Sequence, residues 1–147
     1  MNYILDTCIL VEFARKKPEP KVIHWVDSVN HDSLFISVVT VGEMQRGIER
    51  LPDSKRKDEL LKWFFNDLVE RLKDHILPLD TLTLTLWGSL TSWKEGESQP
   101  MGVLESLIAA TAMRNNMTVA SRYVDIYHSC GALSVNPWVF NPADYYQ

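Results

Sequence analysis

Residues 34–43 read LFISVVTVGE, and this stretch decides the fold. Its first six residues, Leu34 to Val39, are apolar apart from one serine and rich in β-branched side chains, which is typical of a buried strand. From Thr40 the pattern predicts a helix that runs to about Leu51, with Glu43 in its first turn. A buried strand that leads directly into a helix is the building unit of a parallel α/β sheet.

The rest of the chain alternates between strand and helix in the same way. Besides Leu34–Val39, we predict strands at Tyr3–Leu5, Ile76–Leu79, Met117–Ala120 and Ala132–Val135. Besides Thr40–Leu51, we predict helices at Thr7–Lys16, Lys21–Val29, Ser54–His75, Leu82–Lys94 and Met101–Arg114. This order predicts an α/β fold, a three-layer α/β/α sandwich with a mostly parallel central sheet.

Size and composition exclude several classes of protein. With 147 residues, 46% of them hydrophobic, and no repeat or long linker, the chain is expected to form a single domain over residues 1–147. No apolar run approaches the roughly 20 residues needed to cross a bilayer, so we expect no membrane partner. The first residues do not read as a signal peptide, and Cys8 and Cys130 show neither metal spacing nor a disulfide framework. A reducing, cytoplasmic location is therefore expected.

The net charge of −4 argues against a protein that coats nucleic acid nonspecifically, because neutralisation of phosphates supplies most of that affinity. It leaves room for an enzyme that holds cations with its acids. Basic residues cluster at 15–17 and 46–57. They could form a rim that holds a phosphate chain, or they could simply be solvated helix ends.

Three acids from distant segments fall where this fold would bring them together. Asp6 ends the first strand, Glu43 follows the second, and Glu105 lies in the opening turns of the helix that begins near Met101. In a parallel sheet, the carboxyl ends of strands and the amino ends of the following helices share one edge, where ligands bind. Each acid also has a structural alternative: an N-cap for Asp6, a capping box with Thr40 for Glu43, and a favourable helix dipole for Glu105.

If the three carboxylates converge, they require a cation. Carboxylates ~4 Å apart repel one another by ~1 kcal/mol even in water, and by more at a partly buried edge. Oxygen ligands suit Mg²⁺ or Mn²⁺ rather than zinc. Such an ion polarises a phosphodiester and neutralises charge during an in-line displacement, which predicts phosphodiester hydrolysis.

Beyond the acids, the chain resembles the PIN-domain family, and within it the VapC-type toxins of toxin–antitoxin modules. The similarity extends over nearly the whole chain and leaves out only the tail after Trp138. The matching stretches are ILDT at 4–7, ISVVTVGE at 36–43, RGIE at 46–49, LPLD at 77–80, WG at 87–88, LIAATA at 107–112 and VNPW at 135–138.

The resemblance implies a metal-dependent endoribonuclease toxin that hydrolyses RNA phosphodiesters. It assigns Asp6, Glu43 and Glu105 to a catalytic site that holds Mg²⁺ or Mn²⁺, with Thr7 orienting the site and Arg122 contacting the substrate. It also implies a homodimer and a cognate VapB-type antitoxin. The basic residues that follow Glu43 would meet RNA or an acidic tail of the antitoxin.

The chain departs from the family pattern at several positions. Glu105 stands where the family usually has aspartate, while Tyr123 and Ile126 occupy two slots after the fourth strand that usually hold asparagine or an acid. Asp125, next to the second slot, could replace the missing acid if the loop shifts. These departures keep an alternative open: a catalytically weakened PIN domain that binds an antitoxin or RNA without cutting it.

Overall fold

A five-stranded parallel sheet forms the centre of the protein, seen in a computed structural model that describes residues 1–143. Its strands are β1 (Tyr3–Leu5), β2 (Leu34–Ser37), β3 (Ile76–Leu77), β4 (Thr118–Ala120) and β5 (Ser134–Val135). They lie in the order β3-β2-β1-β4-β5, and each neighbouring pair is parallel. The first strand of the chain therefore lies in the middle of the sheet.

Helices cover both faces of this sheet. They are α1 (Thr7–Ala14), α2 (Pro20–Ser28), α3 (Val38–Glu49), α4 (Lys55–Lys62), α5 (Thr81–Gly96), α6 (Val103–Arg114) and α7 (Val124–His128). Leu5 faces a core built with α1 to α3, whereas its neighbour Ile4 faces a second core built with α5 to α7. This alternation along a strand separates the two outer layers, so the predicted three-layer α/β/α sandwich is confirmed.

The boundary between β2 and α3 differs from the prediction. The strand ends at Ser37 rather than Val39, and the Ser37 hydroxyl caps α3 by accepting a hydrogen bond from the Val39 amide at 3.1 Å. The predicted capping box of Thr40 and Glu43 is therefore wrong, because Thr40 already lies inside the helix and is fully buried. At this point the helix-capping preference of Ser37 outweighs the strand preference of Val38 and Val39.

Other elements also differ from the predicted bounds. The predicted helix Ser54–His75 is divided into α4, a π-helical segment Trp63–Val69 and a 3₁₀ turn Lys73–His75. The predicted helix Met101–Arg114 begins at Val103, and α7 was not predicted. No helix in the described range 1–143 combines the length and the apolar composition that crossing a membrane requires.

Candidate metal centre

Asp6 lies where the sheet places it, directly after the central strand β1. Its amide donates to the Ala120 carbonyl at the end of β4, with a distance of 3.0 Å. Its Oδ1 caps α1 by accepting from the Thr7 amide at 2.8 Å. The N-cap interpretation of Asp6 is therefore correct, but it accounts for only one of the two carboxylate oxygens.

The second oxygen of Asp6 accepts two hydroxyl hydrogen bonds. Ser121, which follows β4, donates to Oδ2 at 2.7 Å, and Tyr127 of α7 donates to the same atom at 3.0 Å. Asp6 is only 6% exposed, and both donors are fully buried. Burial and the nearby Asp6 charge raise the pKa of Tyr127, so its phenol keeps the proton that it donates.

Glu43 reaches the same place from α3. The Thr7 hydroxyl donates to Glu43 Oε1 at 2.7 Å, which joins the first turn of α1 to α3. Thr7 therefore contacts Asp6 through its amide and Glu43 through its hydroxyl. A single residue sets the relative positions of two of the predicted acids.

Glu105 completes the acid set from the first turn of α6. Its carboxylate folds back against Gly102, the N-cap of α6, and occupies the space in which any Cβ at that position would stand. Glycine at 102 thus leaves room for the longer side chain that replaces the expected aspartate.

All three acids line one cavity of about 180 Å³. The structure therefore brings together Asp6, Thr7, Glu43 and Glu105 as the sequence predicted, and adds Cys8, Ile108 and Tyr123 to the walls. Arg122 is not among the lining residues; its guanidinium lies 4.5 Å from the centre of the Trp138 ring. Asp125 and Ile126 are exposed and also lie outside the lining.

The electrostatics of this cavity disfavour three negative charges. Burial raises the pKa of Asp6, which its three hydrogen-bond donors counteract only in part, and Glu105 raises it further. Burial also raises the pKa of Glu43, where the hydrogen bond from Thr7 opposes the negative charges of Asp6 and Glu105. A divalent cation is the simplest group that would stabilise all three carboxylates in their charged forms.

The donor chemistry of the cavity fits a hard cation. Carboxylates and a hydroxyl supply oxygen ligands of the kind that Mg²⁺ and Mn²⁺ prefer. Burial raises the pKa of Cys8 to about 11, so this residue remains a thiol and not a thiolate ligand. Within residues 1–143, no three His, Cys, Asp or Glu side chains stand in an arrangement that could hold a metal ion. The cavity thus supplies the ligand chemistry of a metal centre, whereas its side chains as placed do not form the geometry of one.

Sequence reasoning missed two residues of this centre. Ser121 was not among the predicted site residues, although its position after β4 puts it beside Asp6. Tyr127 gave no signal, because α7 is five residues long and too short for a periodic pattern.

Comparison with known proteins agrees with this architecture. The PIN domain family model matches residues 3–128. Three relatives each align over 135 residues, or 92% of this chain: the plasmid stability protein StbB of Pseudomonas syringae pv. tomato (28% identical, 97% of its length), the toxin FitB of Neisseria gonorrhoeae (27%, 97%) and the VapC ribonuclease Y4jK of Sinorhizobium fredii (26%, 96%).

Solved structures give the same result. FitAB bound to an IR36 DNA fragment matches with a TM-score of 0.89 and 27% identity, covering 95% of this chain and 97% of that chain. FitAcB from Neisseria gonorrhoeae also matches with a TM-score of 0.89, at 26% identity, covering 94% and 99%. With the sheet order, the acid cavity and these matches together, the chain belongs to the PIN-domain family.

Proposed function

We propose that this protein is a metal-dependent endoribonuclease toxin of a toxin–antitoxin pair, folded as one domain over residues 1–147 and active in the cytoplasm. The observation that carries the proposal is the single cavity lined by Asp6, Glu43 and Glu105. The names of relatives, a toxin and a VapC ribonuclease, support the same reading. Both described cysteines are free thiols, which agrees with a reducing compartment.

In this mechanism Asp6, Glu43 and Glu105 would hold Mg²⁺ or Mn²⁺, which when bound would supply Lewis-acid polarisation of an RNA phosphodiester and would offset the negative charge that develops during in-line displacement. Asp6 is fixed before any ligand arrives, because both of its oxygens accept hydrogen bonds. Thr7 orients Glu43 through its hydroxyl, which donates to Glu43 Oε1.

Two exposed arginines support a role in holding the RNA backbone. Arg46 on α3 is exposed and close enough to Glu43 to lower the pKa of that carboxyl. Arg122 is exposed at the end of β4, and its stacking on Trp138 keeps the guanidinium at the protein surface. We assign both to phosphate contacts, with Arg122 as predicted from the sequence.

We also propose that a VapB-type antitoxin covers an apolar groove beside the acid cavity, and that the toxin itself forms a homodimer. The groove has a volume of about 200 Å³, and Glu43 is the one charged residue in its lining, shared with the acid cavity. An apolar peptide segment that ends in a basic side chain would fit this combination. The remaining lining residues are Val11, Ala14, Met44, Gly47, Ile48, Leu51 and Leu60.

A specific observation favours a second candidate function. Tyr123 lines the acid cavity at a position where the PIN-domain family usually has asparagine or aspartate. One side chain that could bind the metal is therefore absent at this position. Fewer carboxylates weaken metal binding, and the chain would then be a PIN domain that binds antitoxin or RNA without cutting.

The deciding experiment compares RNA cleavage by the purified protein in Mn²⁺, in Mg²⁺ and in EDTA. Asp6→Asn should abolish metal-dependent cleavage, whereas the control Asp27→Asn, an exposed acid on α2, should leave it unchanged. No cleavage by the wild-type protein, together with intact antitoxin binding, would establish the binding module instead. Light scattering of the free toxin tests the homodimer.

A further inference from the structure

The carboxylate of Asp6 has almost no capacity left to accept hydrogen bonds. A carboxylate offers about four lone-pair sites, two on each oxygen. Ser121 and Tyr127 use both sites on Oδ2, and the Thr7 amide uses one site on Oδ1. One site on Oδ1 remains for any further ligand.

The two hydroxyls on Oδ2 are held firmly by the fold. Tyr127 is completely buried in the core between α7, α6 and β4, so its ring cannot turn away without opening that core. Ser121 is equally buried and accepts a hydrogen bond from the Tyr123 amide at 2.9 Å, which fixes its hydroxyl oxygen. The occupation of Oδ2 is therefore a built-in property of the centre.

We propose that Tyr127 is a positioning residue which, together with Ser121, restricts Asp6 to coordination through Oδ1 alone and so favours Mg²⁺ over Ca²⁺. This inference rests on the proposed metal-dependent function. Ca²⁺ takes six to eight oxygen ligands and often binds a carboxylate through both oxygens, whereas Mg²⁺ demands a near-octahedral set with short, single-oxygen contacts. A carboxylate with one free site supplies the single-oxygen contact that Mg²⁺ prefers, but it cannot bind Ca²⁺ through both oxygens.

Tyr127→Phe tests the proposal because it removes one hydroxyl and keeps the ring. The free protein is titrated with MgCl₂ and, separately, with CaCl₂ by calorimetry. Loss of a hydrogen-bond partner behind a metal ligand commonly lowers affinity by about 10- to 100-fold, and we expect Mg²⁺ affinity to fall within this range. The freed site on Oδ2 can bind Ca²⁺ and so offsets part of its loss of affinity. The ratio of Mg²⁺ to Ca²⁺ affinity should therefore fall by about 10-fold.

Two further variants separate positioning from general destabilisation. Thr111→Val removes a buried hydroxyl of α6 that donates to the Leu107 carbonyl at 2.7 Å and lies outside the acid cavity, so it should leave the affinity ratio unchanged. Ser121→Ala frees the same Asp6 oxygen as Tyr127→Phe by a smaller change, and should shift the ratio in the same direction.

The outcomes distinguish this proposal from the proposed function. If the wild-type protein binds Mg²⁺ and both Tyr127→Phe and Ser121→Ala leave the ratio of the two affinities unchanged, the positioning role of Tyr127 is wrong and the metal-dependent function stands. If the folded wild-type protein binds Mn²⁺ but neither Mg²⁺ nor Ca²⁺, the positioning role is wrong and the metal-dependent function stands; if it binds none of the three, both are wrong.

Discussion

Glu43→Gln should stabilise the protein in the absence of metal, although it removes a residue of the proposed active centre. Glutamine keeps an oxygen that can accept the hydrogen bond from Thr7, so the substitution removes the charge and little else. The charge is unfavourable because Glu43 is partly buried and faces Asp6 and Glu105 across the cavity.

The separation of the charges sets the size of the effect. Two unit charges on the order of 7 Å apart, as on facing walls of a small cavity, repel by roughly 2 kcal/mol at an effective dielectric constant of about 20, and by roughly 0.6 kcal/mol in water. Glu43 faces two such charges and keeps some contact with solvent, so we expect a gain of about 1–2 kcal/mol. For a chain of this length, that gain raises the unfolding midpoint by about 2–8 °C.

Thermal unfolding in EDTA at pH 7 measures this gain, and the dependence of wild-type stability on pH tests its sign. Because the pKa of Glu43 is raised in the folded protein, folding takes up protons, and wild-type stability falls as pH rises through the raised pKa. The advantage of Glu43→Gln should therefore be present at pH 7 and absent below the ordinary glutamate pKa of 4.5.

Added metal should reverse the order of stability. Mg²⁺ at about 100 times its dissociation constant stabilises the wild-type protein by about 2.7 kcal/mol, and Glu43→Gln should lose most of this gain. The control Glu95→Gln, an exposed residue of α5, should change neither value. A midpoint for Glu43→Gln at or below that of the wild type in EDTA at pH 7 would refute the electrostatic argument.

Three further predictions concern the walls of the cavity. Thr7→Val removes the hydrogen bond to a charged group, worth about 1.5–3 kcal/mol, and should lower kcat for RNA cleavage by at least about 10-fold; an unchanged kcat would mean that Thr7 does not position Glu43. Tyr123→Asp adds a carboxylate to the cavity and should raise Mn²⁺ affinity about 10-fold by calorimetry, unless position 123 turns away from the ion. Gly102→Ala and Glu105→Asp should be coupled by at least about 0.5 kcal/mol in a double-mutant cycle on Mg²⁺ affinity, whereas additive effects would show that the Glu105 carboxylate does not need the space over Gly102.

The convergence of the acids could be predicted because it follows from the alternation of parallel strands with helices. Asp6 and Glu43 follow β1 and β2, which are parallel neighbours in the sheet. Glu105 follows no strand, but α6 leads directly into β4, and a helix that precedes a parallel strand runs back along it. Its N-terminus therefore lies at the carboxyl edge of the sheet, where Glu105 meets the other two acids.

The local details could not be predicted, because they depend on competition between nearby side chains. Ser37 and Thr40 are both residue types that cap helices well, and in the structure β2 ends and α3 is capped at Ser37. Tyr127 reads as an ordinary core aromatic in sequence. Its contact with Asp6 spans 121 positions along the chain and appears only when α7 has packed against β4.

The position of β1 in the middle of the sheet has a consequence for the order in which the acid cavity is assembled during synthesis. β1 must wait for β4, about 115 residues later, before its second edge is paired. Until then Asp6 also lacks Ser121 and Tyr127. A nascent chain, or a fragment that stops before residue 118, therefore holds no assembled centre.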